Sequence, residues 1–304
     1  ASDVLTIIED VALDVGEDDF RRAIFAGYPD RVARRREPNS PTVLLSSGTG
    51  ATIGRESGVR DAEFLVAVDI TNGLIRMASA VDRDWLQPTS SALEHRFDPE
   101  RGAVRAAVVD RYDAIVLAET PAKVDADVAA ALLADAWLAR DRTDEDTRLF
   151  RRLRFAGIEI DLPALVRTAA YGAKRIDDVR VERALAPDVV RRLDREAPAS
   201  LVVPSGRTKT IDYNEDGSVS VSVKLQELFG LAETPRIGPR RESIVLSLLA
   251  PNGRPVQVTR DLRSFWDRTY PEVRKEMRGR YPKHPWPEDP WNASPTARPR
   301  RARS

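Results

Sequence analysis

The hydrophobic pattern changes its period twice along the chain, and this change is the feature that most restricts the fold. Within residues 42–120 apolar and polar residues alternate over short runs, which is typical of strands with one buried face. Within residues 121–199 apolar residues recur every three or four positions, as on one face of a helix. Alternation returns after residue 200. The sequence therefore predicts an α+β protein.

The first alternating region is divided by turn residues into short strands. Asn72-Gly73 is its strongest hairpin signal, because a type I′ turn needs positive φ at both central residues. The expected strands are 42–46, 63–70, 74–80, 104–112 and 114–118. Several short strands with this punctuation predict a small antiparallel barrel or a sandwich.

The rest of the chain predicts a helical segment and then a mixed module. Thr143 lies three residues before Asp146, which predicts a helix cap there. After residue 200 the pattern predicts a hairpin and two more strands. Two helices, at about 260–267 and 271–278, then follow. The expected organisation is a helical lead-in at 1–38, a β domain at 39–120, a helical segment at 121–198, an α+β module with an extended Pro-rich end at 199–290, and a disordered Pro/Arg tail at 291–304.

Composition excludes most catalytic chemistry. The 304 residues include no cysteine, which removes disulfides, thiolate metal sites and cysteine nucleophiles. Only His95 and His284 could supply imidazole, so a multi-histidine metal site is not expected, and His95 is predicted to lie in a loop. The acidic run 144–146 fits the first turn of a helix better than a metal site. We expect no catalytic residue, metal or cofactor in this chain, and no apolar run is long enough to span a membrane.

Charge is balanced overall but not along the chain. Lys+Arg and Asp+Glu number 48 each, yet residues 254–304 carry 13 basic and 6 acidic residues, an excess of +7. The rest must therefore sum to −7. Aromatic residues are interleaved with this basic stretch, a pattern that suits phosphate neutralisation and base stacking on a single strand. The alternative is an arginine-coated packing segment whose aromatic side chains are buried against its own chain.

Long runs in the last third resemble the C-terminal region of HrpB-type ATP-dependent RNA helicases. They are L-Q-E-L-F-G-L-A-E-T-P-R-I at 225–237, P-V-Q-V-T-R-D-L-R-S-F-W at 255–266, and the run 270–290 that ends R-G-R-Y-P-K-H-P-W-P-E-D-P. Upstream, the segment 26–36 is similar to the segment that leads into the accessory OB-like domain of DEAH-related helicases, and 82–86 is compatible with that domain. The resemblance implies an OB-like antiparallel β-barrel in the β domain and a C-terminal helicase module after it.

The resemblance also implies what this chain lacks. Such helicases carry motor domains with a Walker A motif, a DEAH box and an arginine-finger motif, and none of these occurs in the sequence. We therefore expect no ATPase in this chain alone, with ATP and Mg²⁺ belonging to motor domains outside it. The expected partners are those motor domains and single-stranded RNA or DNA, in the cytoplasm and without a membrane.

The leading interpretation is an accessory module that contacts nucleic acid. Its cations would bind phosphates, and Tyr281 or Trp286 would stack or anchor the tail. The predicted contact residues are Arg31, Arg34, Arg35, Arg36, Arg207, Lys209, Arg274, Lys275, Arg278, Arg280, Lys283, His284 and Trp286. The alternative is a structural module that straps the helicase domains together without touching RNA.

Overall fold

The computed structural model describes residues 16–296. The chain divides into two compact units between Leu132 and Leu133. Expectations for residues 1–15 and 297–304, including most of the predicted disordered tail, lie outside the described residues. Within the described part, no helix has both the length and the apolar character needed to cross a bilayer.

A closed barrel of five strands, in the order β1-β2-β3-β5-β4, forms the centre of the first unit. Its strands are β1 (Val32–Arg35), β2 (Thr42–Leu45), β3 (Gly50–Ile53), β4 (Phe64–Thr71) and β5 (Leu74–Val81). Four of the five pairings are antiparallel, but β3 and β5 run parallel. The barrel is therefore of mixed direction, where an antiparallel one was expected.

The hairpin between β4 and β5 turns at the predicted site. Asn72 has φ 51° and Gly73 has φ 76°, as a type I′ turn requires. In contrast, β1 and β3 were not predicted. In β1, Val32 and Ala33 are both fully buried although they point to opposite faces. Because one belongs to the barrel interior and the other to a core outside it, the strand lacks the alternation by which a half-buried strand is recognised.

A second sheet of three strands accompanies the barrel. It contains β6 (Ser90–Asp98), β7 (Ala103–Tyr112) and β8 (Ile115–Ala122) in that order. Strand β6 was not predicted, and His95 lies on it rather than in a loop. The backbone N–H of Asp125 donates to His95 Nε2 over 2.9 Å. Helix α1 (Glu17–Gly27) contributes Ile24 and Phe25 to the core around Tyr112.

The predicted helical segment contains four helices: α2 (Ala126–Ala139), α3 (Asp144–Phe155), α4 (Leu162–Ala170) and α5 (Pro187–Glu196). Helix α3 begins with the predicted cap. Thr143 Oγ1 accepts from Asp146 N, and the Asp146 carboxylate accepts from Thr143 N, both over 3.2 Å. Asp144, Glu145 and Asp146 occupy the first helical turn, where negative charge stabilises the helix dipole.

The C-terminal module is built on a four-stranded sheet with the order β11-β12-β15-β16. Val219, Val221 and Val223 of β12 are buried while the serines between them are more exposed, as predicted. The strands of the module are β9 (Ser200–Val202), β10 (Thr208–Thr210), β11 (Asp212–Tyr213), β12 (Val219–Lys224), β13 (Arg236–Ile237), β14 (Glu242–Ser243), β15 (Val245–Leu249) and β16 (Pro255–Thr259). The central pair, β12 and β15, is parallel.

The two predicted C-terminal helices are joined. A short turn, α6 (Leu262–Ser264), passes through a π-helical segment, Phe265–Thr269, into α7 (Tyr270–Arg280). No loop separates them. The wide π turn accompanies the burial of Phe265, Trp266 and Tyr270, which a uniform helical spacing does not predict.

We predict that Thr143→Ala lowers the free energy of unfolding by about 1 kcal/mol, because it removes the oxygen that accepts from Asp146 N. Thr143→Ser, which keeps this oxygen, is the matched control and should stay within about 0.5 kcal/mol of the unsubstituted chain. Urea denaturation followed by circular dichroism measures both. Equal destabilisation in the two variants would contradict a role for the cap.

Candidate nucleic-acid interface

The largest group of predicted contact residues lies on and just after α7. Pro271 lies in the first turn of this helix, directly after the π-helical segment. Tyr270 and Met277 are buried on one side. Lys275 and Arg278, three residues apart, share an exposed face on the other side.

Two other arginines of α7 already have carboxylate partners. Arg274 donates from Nε to the Trp286 carbonyl over 2.9 Å and from Nη2 to Glu288 over 2.8 Å. Arg280 pairs with Glu276 over 3.0 Å. Within residues 16–296, Lys275, Arg278 and the exposed Lys283 make no ion pair with a carboxylate. These three cations can therefore receive a phosphate without breaking an internal contact.

The tryptophans of the C-terminal run are packing residues. Trp266 is 2% exposed, and its Nε1 donates to the Leu231 carbonyl over 2.8 Å. Its ring lies 6.1 Å from that of Phe229 and 5.1 Å from that of Tyr270. Trp286 is 7% exposed and donates from Nε1 to the Tyr281 carbonyl over 3.0 Å. Neither indole offers a free face on which a base could stack.

Tyr281 and His284 are half-buried and meet edge to face, with ring centroids 6.4 Å apart. Burial, together with the charge of Lys224, lowers the pKa of His284 below its ordinary value. The shift favours the neutral imidazole, so His284 is a weaker candidate for a phosphate contact than the lysines and arginines around it.

Arg207 and Lys209 converge on one buried carboxylate. Glu227 is fully buried. Arg207 Nη1 lies 3.2 Å and Lys209 Nζ 2.6 Å from its two oxygens. The strand pair β9–β10 holds Lys209 opposite Leu201. This geometry favours a structural role for both cations, since a buried carboxylate must be paired.

The arginines in and next to β1 are held by neighbouring backbone carbonyls, with one exception. Arg31 donates to the Val68 carbonyl over 3.1 Å, and Arg34 donates to the Val116 carbonyl over 2.6 Å and pairs with Glu63. Arg35 is 7% exposed and donates to the carbonyls of Ala62 and Ser40.

The exception is Arg36, whose side chain is exposed just after the strand. It lies in the first unit, whereas Arg207, Lys209 and the α7 residues lie in the second. The predicted contact residues therefore fall into three local groups, each with its own surroundings.

One concave surface of the second unit was not predicted from the sequence. A cavity of about 370 Å³ in the second unit is lined by Arg151, Arg154, Arg192 and Arg240. Arg151 and Arg154 are three residues apart in a predicted helical segment. This spacing was the only sequence signal for the surface.

We predict that Lys209→Met lowers the free energy of unfolding by about 1–3 kcal/mol, because it removes the nearer cation from the buried carboxylate of Glu227. Lys275→Met removes an exposed lysine and should change it by less than about 0.5 kcal/mol. Urea unfolding of the full chain compares them. If both variants are as stable as the unsubstituted chain, the ion pair has no structural role.

Comparisons with known proteins find relatives of this C-terminal module. A family model described as the ATP-dependent helicase C-terminal region of HrpB matches residues 166–290. The ATP-dependent RNA helicase HrpB of Escherichia coli is 48% identical over 128 residues, which are 42% of this chain and 16% of that protein. The match begins upstream of the resemblance at 199–290 and takes in the second half of α4 and all of α5.

The similarity in three dimensions extends further. The crystal structure of the E. coli DExH-box NTPase HrpB superposes with a TM-score of 0.52 at 28% identity over 93% of this chain and 40% of that one. A crystal structure of the E. coli DEAH/RHA helicase HrpB has a TM-score of 0.46 at 28% identity over 88% and 38% of the two chains. The chain thus spans less than half the length of these relatives, and its residues 166–290 are similar to the C-terminal region of HrpB-type helicases.

Proposed function

We propose that this chain is the accessory part of an HrpB-type ATP-dependent RNA helicase that contacts single-stranded nucleic acid and the helicase motor domains. The family match supports the accessory assignment. ATP and Mg²⁺ would be bound by the motor domains, because the chain has no motif that cradles phosphates around a magnesium ion. The proposed location is the cytoplasm.

The observation that carries the proposal is the exposed face of α7. Lys275 and Arg278 lie side by side, and Lys283 follows within one turn of the helix end. Cations without an internal carboxylate partner neutralise phosphates at the lowest cost, because no ion pair must break first. The basic excess of residues 254–304 places this face in a positive region of the sequence.

The contact we propose is electrostatic and involves little stacking. Trp266 and Trp286 are buried, so their indoles are committed to the module. Tyr281 and Trp291 are half-buried and are the remaining aromatic candidates on this segment, although the Arg263 guanidinium already lies 4.5 Å from the Trp291 ring. Recognition through phosphates alone carries no sequence preference, which suits a module that guides any strand.

We further propose that the barrel is OB-like. Its five strands close with β1 between β2 and β4, and barrels of this kind bind single strands on an open face. Arg36 is exposed beside this barrel and is the contact residue we propose there. Arg31 and Arg35 would instead hold the barrel together through their carbonyl partners, and Arg34 would join it to β8 through the Val116 carbonyl.

A second candidate function is structural: the path of the segment after α7, called the strap below, favours a role in holding the C-terminal module together, which is narrower than strapping the helicase domains to one another. Tyr270 Oη donates to the Pro287 carbonyl over 3.0 Å, and Gly230 N donates to the Pro290 carbonyl over 2.9 Å. Thr296 N donates to the Gln226 carbonyl over 2.9 Å. The Pro-rich end thus packs along its own module. We propose that the strap and the α7 face coexist, with the strap holding α7 in place.

The RNA contact is tested by replacing Lys275, Arg278 and Lys283 together with Gln. Affinity for a short single-stranded RNA, measured by fluorescence anisotropy across salt, should fall. The slope of log K against log salt should become shallower by about 0.7 for each phosphate that is no longer neutralised. Arg148, Arg167 and Arg191, all exposed, replaced together with Gln, form the control of equal charge change. An unchanged slope in the α7 variant, or an equal effect in the control, would exclude this face.

The strap has a separate test. Trp286→Ala should lower the free energy of unfolding by about 3 kcal/mol, because it empties a buried site and removes the hydrogen bond to the Tyr281 carbonyl. Tyr281→Phe keeps that carbonyl and should have a much smaller effect on thermal unfolding. A Trp286 variant as stable as the unsubstituted chain would contradict the strap.

A further inference from the structure

Five arginines of the second unit surround a continuous concave surface that we call the arginine groove. It consists of the cavity of about 370 Å³ and a neighbouring cavity of about 610 Å³, which share Arg151 and Arg154. Its arginines are Arg142, Arg151, Arg154, Arg192 and Arg240.

Helix α3 positions the centre of the groove. Arg151 and Arg154 project from the same helix face because they are three residues apart. Arg151 Nη2 lies 2.7 Å from Glu215 Oε1, and Arg154 Nη2 donates to the Glu215 backbone carbonyl over 2.8 Å. Each guanidinium has five N–H donors, so these contacts orient both side chains and leave donors for a ligand.

The other arginines have no carboxylate partner within the described residues. Arg192 Nη2 donates to the carbonyls of Ala156 and Gly157, each over 3.3 Å, so its charge is held but not neutralised. Arg142 lies over the Phe150 ring at 4.6 Å. Arg240 is exposed on the loop between β13 and β14.

The backbone beside Arg240 has little freedom. Gly238 has φ +79°, and a Cβ there would lie 2.5 Å from the Phe155 ring. The ring and the glycine are therefore in close contact, which fixes the start of the loop against α3. Phe155 in turn packs edge to face on the buried Tyr213, with centroids 5.1 Å apart. The start of the loop that carries Arg240 is thus held against α3.

The groove has a surplus of positive charge. Five guanidinium groups face two carboxylates, Glu215 and Glu242, which leaves a local charge of +3. A concave surface concentrates the field of its charges. Guanidinium is the group best suited to bind phosphate oxygens in pairs.

We propose that the arginine groove is a phosphate-binding site and that its two adjoining cavities take successive phosphates of a single-stranded nucleic acid. A free phosphate ion has the same chemistry and would occupy one cavity. The site shares no residue with the exposed face of α7. It adds a second contact surface to the proposed function and can be tested apart from the first.

The test uses the full chain and the double variant Arg154→Gln, Arg240→Gln, with two probes. The first is inorganic phosphate, followed by NMR shifts of the arginine Nε–Hε signals. The second is a fluorescein-labelled oligouridylate, followed by anisotropy at low salt. The double variant should bind each probe at least about fivefold more weakly, because it lacks two charged hydrogen-bond donors. Weakening for both assigns the groove to a nucleic-acid backbone; weakening for inorganic phosphate alone assigns it to free phosphate.

The matched control is Arg167→Gln, Arg191→Gln, which removes two exposed arginines outside the groove. Arg240→Gln alone is a second test variant that should fold normally, because this side chain has no ion pair in the described part of the chain. It covers the case in which the double variant misfolds. Unchanged binding of both probes in the double variant, or an equal weakening in the control, overturns the proposal. Replacing the α7 cations should leave the arginine signals responsive to phosphate, so failure at α7 and failure at the groove are distinguishable.

Discussion

The packing of Phe229, Trp266 and Tyr270 holds the C-terminal module together. The three rings lie within 6.2 Å of one another, centroid to centroid, and all are at most 2% exposed. A π turn brings the last two to the same side, and the segment after α7 then closes over the cluster through its hydrogen bonds to Tyr270 and Gly230. Aromatic burial of this size dominates the energetics of a small core. The C-terminal segment therefore takes the path that covers these three rings.

This packing separates two kinds of cation. Those that touch the strap, such as Arg274, are held by carbonyls and carboxylates and act as structural donors. Those that project away from it, such as Lys275 and Arg278, keep their charge available. The same distinction applies at Glu227, where burial of one carboxylate determines the role of Arg207 and Lys209. Partners, more than residue type, therefore determine which basic residues can meet a phosphate.

In the arginine groove, the fold brings basic residues together more than it pairs them with carboxylates. Its members come from α3, α5, the segment before α3 and the β13–β14 loop, so no short run of sequence contains them. The fold assembles a site of charge +3 in a chain whose net charge is zero. A balanced composition therefore says little about the local field that a ligand meets.

Elements with local signals could be predicted from the order of residues alone. The hairpin at Asn72-Gly73, the cap at Thr143 and the alternation in β12 were predicted because backbone conformation or one-sided burial dictates those residues. The helicase resemblance was also present in contiguous runs. The burial of Trp286 was one of two alternatives that the sequence left open. Strands β1 and β3, the parallel pairings and the assembly of the groove emerged only from the folded chain. Each of these depends on contacts between residues distant in the chain, and such contacts leave no periodic trace in the sequence.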